Sequence, residues 1–449
     1  VDEAIAAIIT QQRANEPLSE LSIPQQIASH TLVKVLIQSL ADMGLGHVSA
    51  ADKLAIARAI ASNHPKEQAR QLFVDISELV QRDAKSGIQR VVRSVLKILL
   101  EQPPPGYSVI PVYATMTEPG YRKAAKFIQS FIGNVHANEQ LDDKITYRAG
   151  DYFLGIDLHP HIVCAQKDAL LHMRERGVSV QFVVFDLLCA TMPQHFVPGS
   201  KEPFVEWLKV VTQMDGAICI SKAVADELSA WVATEGIRHQ RSFAIKHFNL
   251  GSDIQASLPS AGLSDTDQAL LDFLRGQTNF LMVGTLEPRK GHKQALEAFE
   301  QLWASDQHIN LLIVGKKGWL VDALVKHIGT HPQHGKRLFW LQGISDQMLE
   351  EIYAVSTCLL VPSEGEGFGL PLIEAASHKL PIIARDLPVF KEVASGHAYY
   401  FNGMDLASLA RAVECWLALY KQGQHPVSDG MPTLTWQQST LQLLKALLS

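Results

Sequence analysis

Short apolar runs alternate with longer stretches whose apolar residues recur at helical spacing, from about position 71 to the end of the chain. QLFVDISELV opens this region as a strand, and RVVRSVLKILLEQ follows as a helix with one apolar and one basic face. The strand pattern returns in YSVIPVYAT, DYFLGIDL, SVQFVVFDLL and GAICIS, with helical patterns such as HIVCAQKDALLHMRERG between them. A polar break follows RSFAIKHFNLGSD, so a domain boundary is expected between Gln255 and Gln277. The alternation then resumes with NFLMVG, INLLIVG, RLFWLQG, CLLVP and KLPII, each followed by a turn and a helical stretch. TWQQSTLQLLKALL closes the chain as a helix. Strands alternating with helices in both halves predict two parallel-sheet α/β domains that bind ligand at the carboxyl ends of their strands.

The first seventy residues read differently. IPQQIASHTLVKVLIQSLADMG and ADKLAIARAIASNHP are helical patterns without a catalytic constellation, so residues 1–70 are expected to be a helical extension. At 449 residues the chain exceeds one ordinary domain, and 47% apolar with 19% charged residues is the composition of a folded globular protein. A net charge of −6 gives no footprint for nucleic acid. Five scattered cysteines (Cys164, Cys189, Cys219, Cys358 and Cys415) have neither metal-ligand nor disulfide-framework spacing and are expected as buried thiols in a reducing compartment. Neither a signal peptide nor a transmembrane span is expected.

The chemistry concentrates between Ser356 and Ile383. After the strand CLLVP, the loop SEGEGFG supplies Gly365, Gly367 and Gly369, and Pro371 stands where a helix begins. Glu366 in the loop and Glu374 one turn into the helix, with seven residues between them, can both reach one ligand. The free N–H groups of the helix start suit a phosphate. In the loop after NFLMVG, Arg289 and Lys290 precede a helix start. That end of a helix already favours negative charge, so the pair is expected to serve an anion such as a diphosphate. In the first half, Ser86 and Gly87 precede a helix, with Arg90 and Arg93 in it, and Asp186 ends an apolar strand.

Glu366-GFGLPLI-Glu374, preceded by VPSEG, resembles the E-x7-E signature of retaining GT-B glycosyltransferases, the large family that includes sucrose synthases and many bacterial mannosyltransferases. The resemblance covers roughly residues 72–449. It implies a GT-B fold: two Rossmann-like domains facing across a cleft, here with the extra helical segment. An acceptor domain at 71–262 would face a nucleotide-sugar domain at 263–432, and the last helix, 433–449, would return to the first domain. It further implies that Glu366 contacts the donor sugar, that Glu374 holds the ribose, and that Lys290 with Arg289 neutralises the leaving diphosphate. Gly284, Gly367, Phe368, Gly369 and Leu370 would line the donor, and Gly343 with Ile344 would lie against the base. Ser86, Gly87 and Asp186 would lie on the acceptor side, with Asp186 orienting the acceptor hydroxyl. Where the family commonly has His-Asp-Leu, this chain has Phe185-Asp186-Leu187, so a histidine beside the reacting carbon is missing.

The implied reaction moves a hexose from a nucleoside diphosphate sugar to a hydroxyl with retention. VGTLEPRKG and SGIQRVV resemble bacterial mannosyltransferases of O-antigen, capsule or exopolysaccharide assembly, which favours GDP-mannose as donor substrate. No cofactor and no metal are called for, because the one Asp-x-Asp, Asp265 and Asp267, lies in the polar linker. The acceptor is expected to be a saccharide or a polyprenyl-linked saccharide, with polysaccharide-assembly proteins as further partners. The expected place is the cytoplasm, or the inner face of the cytoplasmic membrane as a peripheral protein. The rivals are a catalytically idle GT-B scaffold, a GT-B sugar-nucleotide epimerase and a phosphorylase-like enzyme.

Overall fold

The structure is a computed structural model, and it describes residues 69–82, 86–132, 142–237, 242–252 and 262–449. The expected N-terminal helices lie outside these residues. Of the cysteines, Cys189, Cys219 and Cys358 are buried and Cys164 partly so, but Cys415 is exposed: it stands on the outer face of the helix Leu406–Lys421.

Two sheets form the frame. The first runs β3-β2-β1-β4-β5-β6-β7. Its strands are β1 (Arg70–Asp75), β2 (Tyr107–Tyr113), β3 (Arg122–Lys123), β4 (Tyr152–Gly155), β5 (Ser179–Val184), β6 (Gly216–Cys219) and β7 (Ala244–His247). All neighbours are parallel except β2 and β3. The second, wholly parallel, runs β10-β9-β8-β11-β12-β13. It comprises β8 (Asn279–Val283), β9 (Asn310–Val314), β10 (Leu338–Leu341), β11 (Cys358–Val361), β12 (Ile382–Arg385) and β13 (Tyr399–Phe401). Their near-continuous apolar sequences are what helices covering both faces require.

Strand order decides where ligand can sit. The chain winds outward from β1 on one side and from β4 on the other, and likewise from β8 and β11 in the second sheet. Crevices outside the carboxyl ends of such neighbouring strands are the ligand sites of open parallel sheets. In the second sheet this switch point brings together the loop after β8, which carries Arg289 and Lys290, and the loop after β11, which carries Glu366.

The basic and aromatic segment at 121–132 joins the edge of the first sheet. Tyr121 is buried and meets Phe153 edge to face at 4.8 Å, because β3 adds to the edge of the sheet and draws it inward. Asp265 and Asp267 are not linker residues: they form the first turn of the helix Asp265–Leu274, where Asp267 accepts from the Ser264 backbone N–H at 2.9 Å. The helix Trp436–Leu448 packs on the helix Gly87–Glu101 and on β6 and β7. Gly251 permits that return, since a Cβ there would stand 2.6 Å from the Trp436 nitrogen. Among the described residues, no helix is long and apolar enough to cross a membrane.

Candidate active site

Glycines shape the cradle. Gly369, at φ +96°, turns the chain into the helix Leu370–Ser377. A Cβ on Gly367 would lie 2.0 Å from the Phe185 carbonyl oxygen, so only glycine lets this loop touch the end of β5 in the other domain. Ser221 fixes the same contact, donating through its hydroxyl to the Gly367 carbonyl at 2.8 Å. Phe368 is buried in the core, and Leu370 packs partly buried against it. Gly284, at φ +142°, lies under Lys290, whose Nζ would be 4.0 Å from a Cβ placed there.

At the centre stands Glu366. Its Oε1 accepts from Lys290 Nζ at 2.5 Å and its Oε2 from Arg289 Nη1 at 3.2 Å. Arg289 also donates to the Gly365 carbonyl and lies 2.9 Å from Glu287. Burial would raise the Glu366 pKa, but Lys290 and Arg289 outweigh it and hold the carboxyl at about 2. Asp186, just beyond β5, is half-buried, and desolvation pushes its pKa up against the pull of Arg289. Glu287 is likewise raised by burial, against the pull of Arg289 and Lys290. His292 is buried beside them; burial and then Lys290 push it down to about 3, so it is neutral at pH 7. Among the described residues, neither His292 ring nitrogen nor the Arg289 Nε has a hydrogen-bond partner. Buried donors and acceptors left unpaired cost free energy, and their concentration in the loop after β8 fits a site shaped for a polar ligand. Three carboxylates facing two cations form a partly buried charge network whose balance an incoming diphosphate would change.

Glu374, 3% exposed, is occupied at both oxygens: Arg90 Nη1 donates to one at 2.5 Å and the Tyr353 hydroxyl to the other at 2.7 Å. Arg90 belongs to the first domain, in the helix Gly87–Glu101 that Ser86 caps by accepting from the Gln89 N–H. Gly87 lies opposite Leu370, so the acceptor-side and donor-side loops meet directly. Gly343 is exposed with φ +62°, and Ile344 is half-buried beside the core, both just beyond β10.

Several residues here escaped the sequence. Arg385, at the end of β12, is buried and donates to the Pro362 and Ser363 carbonyls, fixing the start of the Glu366 loop. Its place at a strand end was the available signal. Glu392 accepts from the Lys222 and Ala223 N–H groups at 2.7 Å each, capping a helix of the opposite domain. His195 lies 3.1 Å from Glu364, and its carbonyl accepts from Trp319 at 2.8 Å, a further pair of contacts across the cleft. Phe185, in the place of the family histidine, turns its ring into the core and only its carbonyl toward Gly367. Glu300, His327 and His331 cluster elsewhere, both Nε2 atoms within 3.1 Å of one Glu300 oxygen. The Gln333 N–H donates to His331 Nδ1, which leaves that ring's proton on Nε2 facing the carboxylate, the tautomer opposite to the one a metal ligand needs.

Residues 267–427 match the sequence family described as "Glycosyl transferases group 1". The chain is 45% identical over 403 residues to a serotype-specific mannosyltransferase WbdA of Escherichia coli, covering 89% of this chain and 49% of that protein. It therefore spans about half the length of the curated relatives it matches. Among solved structures it resembles a UDP-forming trehalose-phosphate synthase from Burkholderia xenovorans, with TM-score 0.56 at 14% identity over 85% of this chain and all of that one. The sucrose-phosphate synthase of Thermosynechococcus elongatus is similar at TM-score 0.55 and 15% identity, over 84% of this chain and 94% of that one. At such identities these likenesses speak for the GT-B fold alone.

Proposed function

We propose that the chain is a group 1 glycosyl transferase, as the match at residues 267–427 supports, and that it transfers mannose from GDP-mannose to a saccharide acceptor with retention. The observation that carries the proposal is the Glu366–Lys290–Arg289 cluster at the switch point of the second sheet, in a chain 45% identical to a serotype-specific mannosyltransferase. Lys290 and Arg289 take the diphosphate, and Glu374 takes the ribose hydroxyls. Glu366 meets the sugar ring, where its charge favours the positive character that develops at the anomeric carbon as the bond to the diphosphate breaks. The acceptor oxygen forms the new bond to that carbon, and its proton leaves with the departing diphosphate oxygen. Asp186, facing the same cluster from the first domain, orients the acceptor hydroxyl.

Neutralisation of the leaving group by two partly buried cations supports a metal-independent, cofactor-free transfer. The acceptor is a saccharide or a polyprenyl-linked saccharide of a bacterial surface polysaccharide, met at the inner face of the cytoplasmic membrane, where assembly proteins would also be encountered. A calorimetric and thermal-shift screen against GDP-, UDP- and dTDP-sugars tests the donor. The strongest response is expected from GDP-mannose; an equal or stronger response to a UDP-sugar overturns that choice.

A further inference from the structure

Arg90 stands in the first turn of its helix, where a cation opposes the helix dipole, so an anion must repay its placement. That anion is Glu374 of the other domain, 2.5 Å away and almost wholly buried. The two oxygens of Glu374 are thus pinned by partners from different domains, Tyr353 from its own and Arg90 from across the cleft. A carboxylate oxygen has two lone pairs, so each keeps one for a ribose hydroxyl while these bonds persist. The approach of Gly87 to Leu370 sets the Arg90 helix directly on the glycine-rich loop. Gly367 against Phe185 and Ser221 against Gly367 close the same seam.

We infer that Arg90 is a positioning residue of the nucleotide seat, which orients Glu374 toward the ribose and is in place only when the cleft is closed. This rests on the nucleotide-sugar reading above. Its consequence is that the first domain, which carries the acceptor side, sets affinity for the nucleoside diphosphate held by the second. A donor-loaded cleft therefore favours closure, and closure slows loss of the nucleotide.

The test measures calorimetric affinity of the full chain for bare GDP, with donor KM and kcat, in the wild type and in Arg90→Gln, Arg90→Lys, Glu374→Gln and the Arg90→Gln/Glu374→Gln double variant. Arg90→Gln is expected to weaken GDP by about tenfold or more, the loss of one charge-assisted hydrogen bond. The loss should fall on donor KM more than on kcat, with partial recovery in Arg90→Lys. The double variant should bind GDP no more than about twofold worse than the weaker single one, because the two residues act through one contact. The double variant also leaves no buried charge without its partner, so it keeps the question open to measurement if Arg90→Gln fails to fold. Equal or tighter GDP binding by Arg90→Gln, or additive losses in the double variant, overturns the inference. Absence of nucleoside diphosphate binding by the wild type would instead overturn the nucleotide-sugar reading.

Discussion

Replacing Glu366 by Gln separates two effects that the structure places on one side chain. In the free protein Glu366 is the shared partner of Lys290 and Arg289, the two cations assigned to the diphosphate. A carboxylate at about 7 Å from a phosphate charge repels it by roughly 332/(20 × 7), about 2 kcal/mol, at the effective dielectric of such sites. Reorientation of the freed cations offsets part of this, which leaves a gain of about 1 kcal/mol, or roughly fivefold, in affinity for bare GDP. Turnover should move the other way. The carboxylate that faces the developing positive charge is lost, and kcat should fall by at least about 10²-fold. Calorimetry with GDP alone and initial rates with GDP-mannose and acceptor read the two effects separately. Weaker GDP binding by Glu366→Gln would refute the competition argument, and an unchanged kcat would refute the placement of Glu366 at the sugar.

Lys290→Met should weaken bare GDP by about 2–3 kcal/mol, since it removes a buried charge-assisted contact to the diphosphate and leaves Glu366 short of a partner; calorimetry decides. Gly367→Ala puts a methyl group 2.0 Å from the Phe185 carbonyl and should lower kcat/KM by about 10²-fold through misplaced domains, with a much smaller shift in thermal midpoint; unchanged kcat/KM would argue against that seam. Asp75, buried at the end of β1 beside Ser77, Asp157 and Tyr121, is pushed up to about 7, chiefly by burial. Its folded pKa exceeds its ordinary value of 3.8, so its stabilising share is complete below about pH 4 and lost as pH rises through 7. Asp75→Asn should therefore flatten the fall in thermal midpoint between about pH 4 and 7, and a profile parallel to the wild type would count against this. Transfer should persist with EDTA, as two cations serve the diphosphate; activity lost with EDTA and restored by manganese or magnesium would contradict that.

The frame was legible because buried parallel strands write themselves as apolar runs, and the glycine-rich turn with its flanking carboxylates stands out between two of them. The cations at 289 and 290 were legible by a contradiction, since a helix start should repel them. The sequence could not show what these groups do to one another when no ligand is bound. Glu366 on Lys290 and Arg289, and Glu374 on Arg90 and Tyr353, depend on residues 21 to 284 positions apart in the chain meeting at one seam. The burial of Tyr121 was hidden for a related reason: its neighbours Arg122 and Lys123 are basic, and only the edge pairing of β3 with β2 buries the ring. Glu392 was invisible as a site residue because its partners are backbone groups, which no side-chain pattern reports, and Arg385 offered only its place at a strand end.

The most direct measurement of the central claim is a product analysis: the full chain is incubated with GDP-α-mannose and a mannose-terminated oligosaccharide, and the new linkage is assigned by the one-bond carbon–proton coupling of its anomeric centre. Release of GDP in step with formation of an α-mannoside is expected, with no consumption of GDP-mannose when the acceptor is withheld. A β-mannoside, or acceptor-independent conversion of GDP-mannose to another sugar nucleotide, would contradict it.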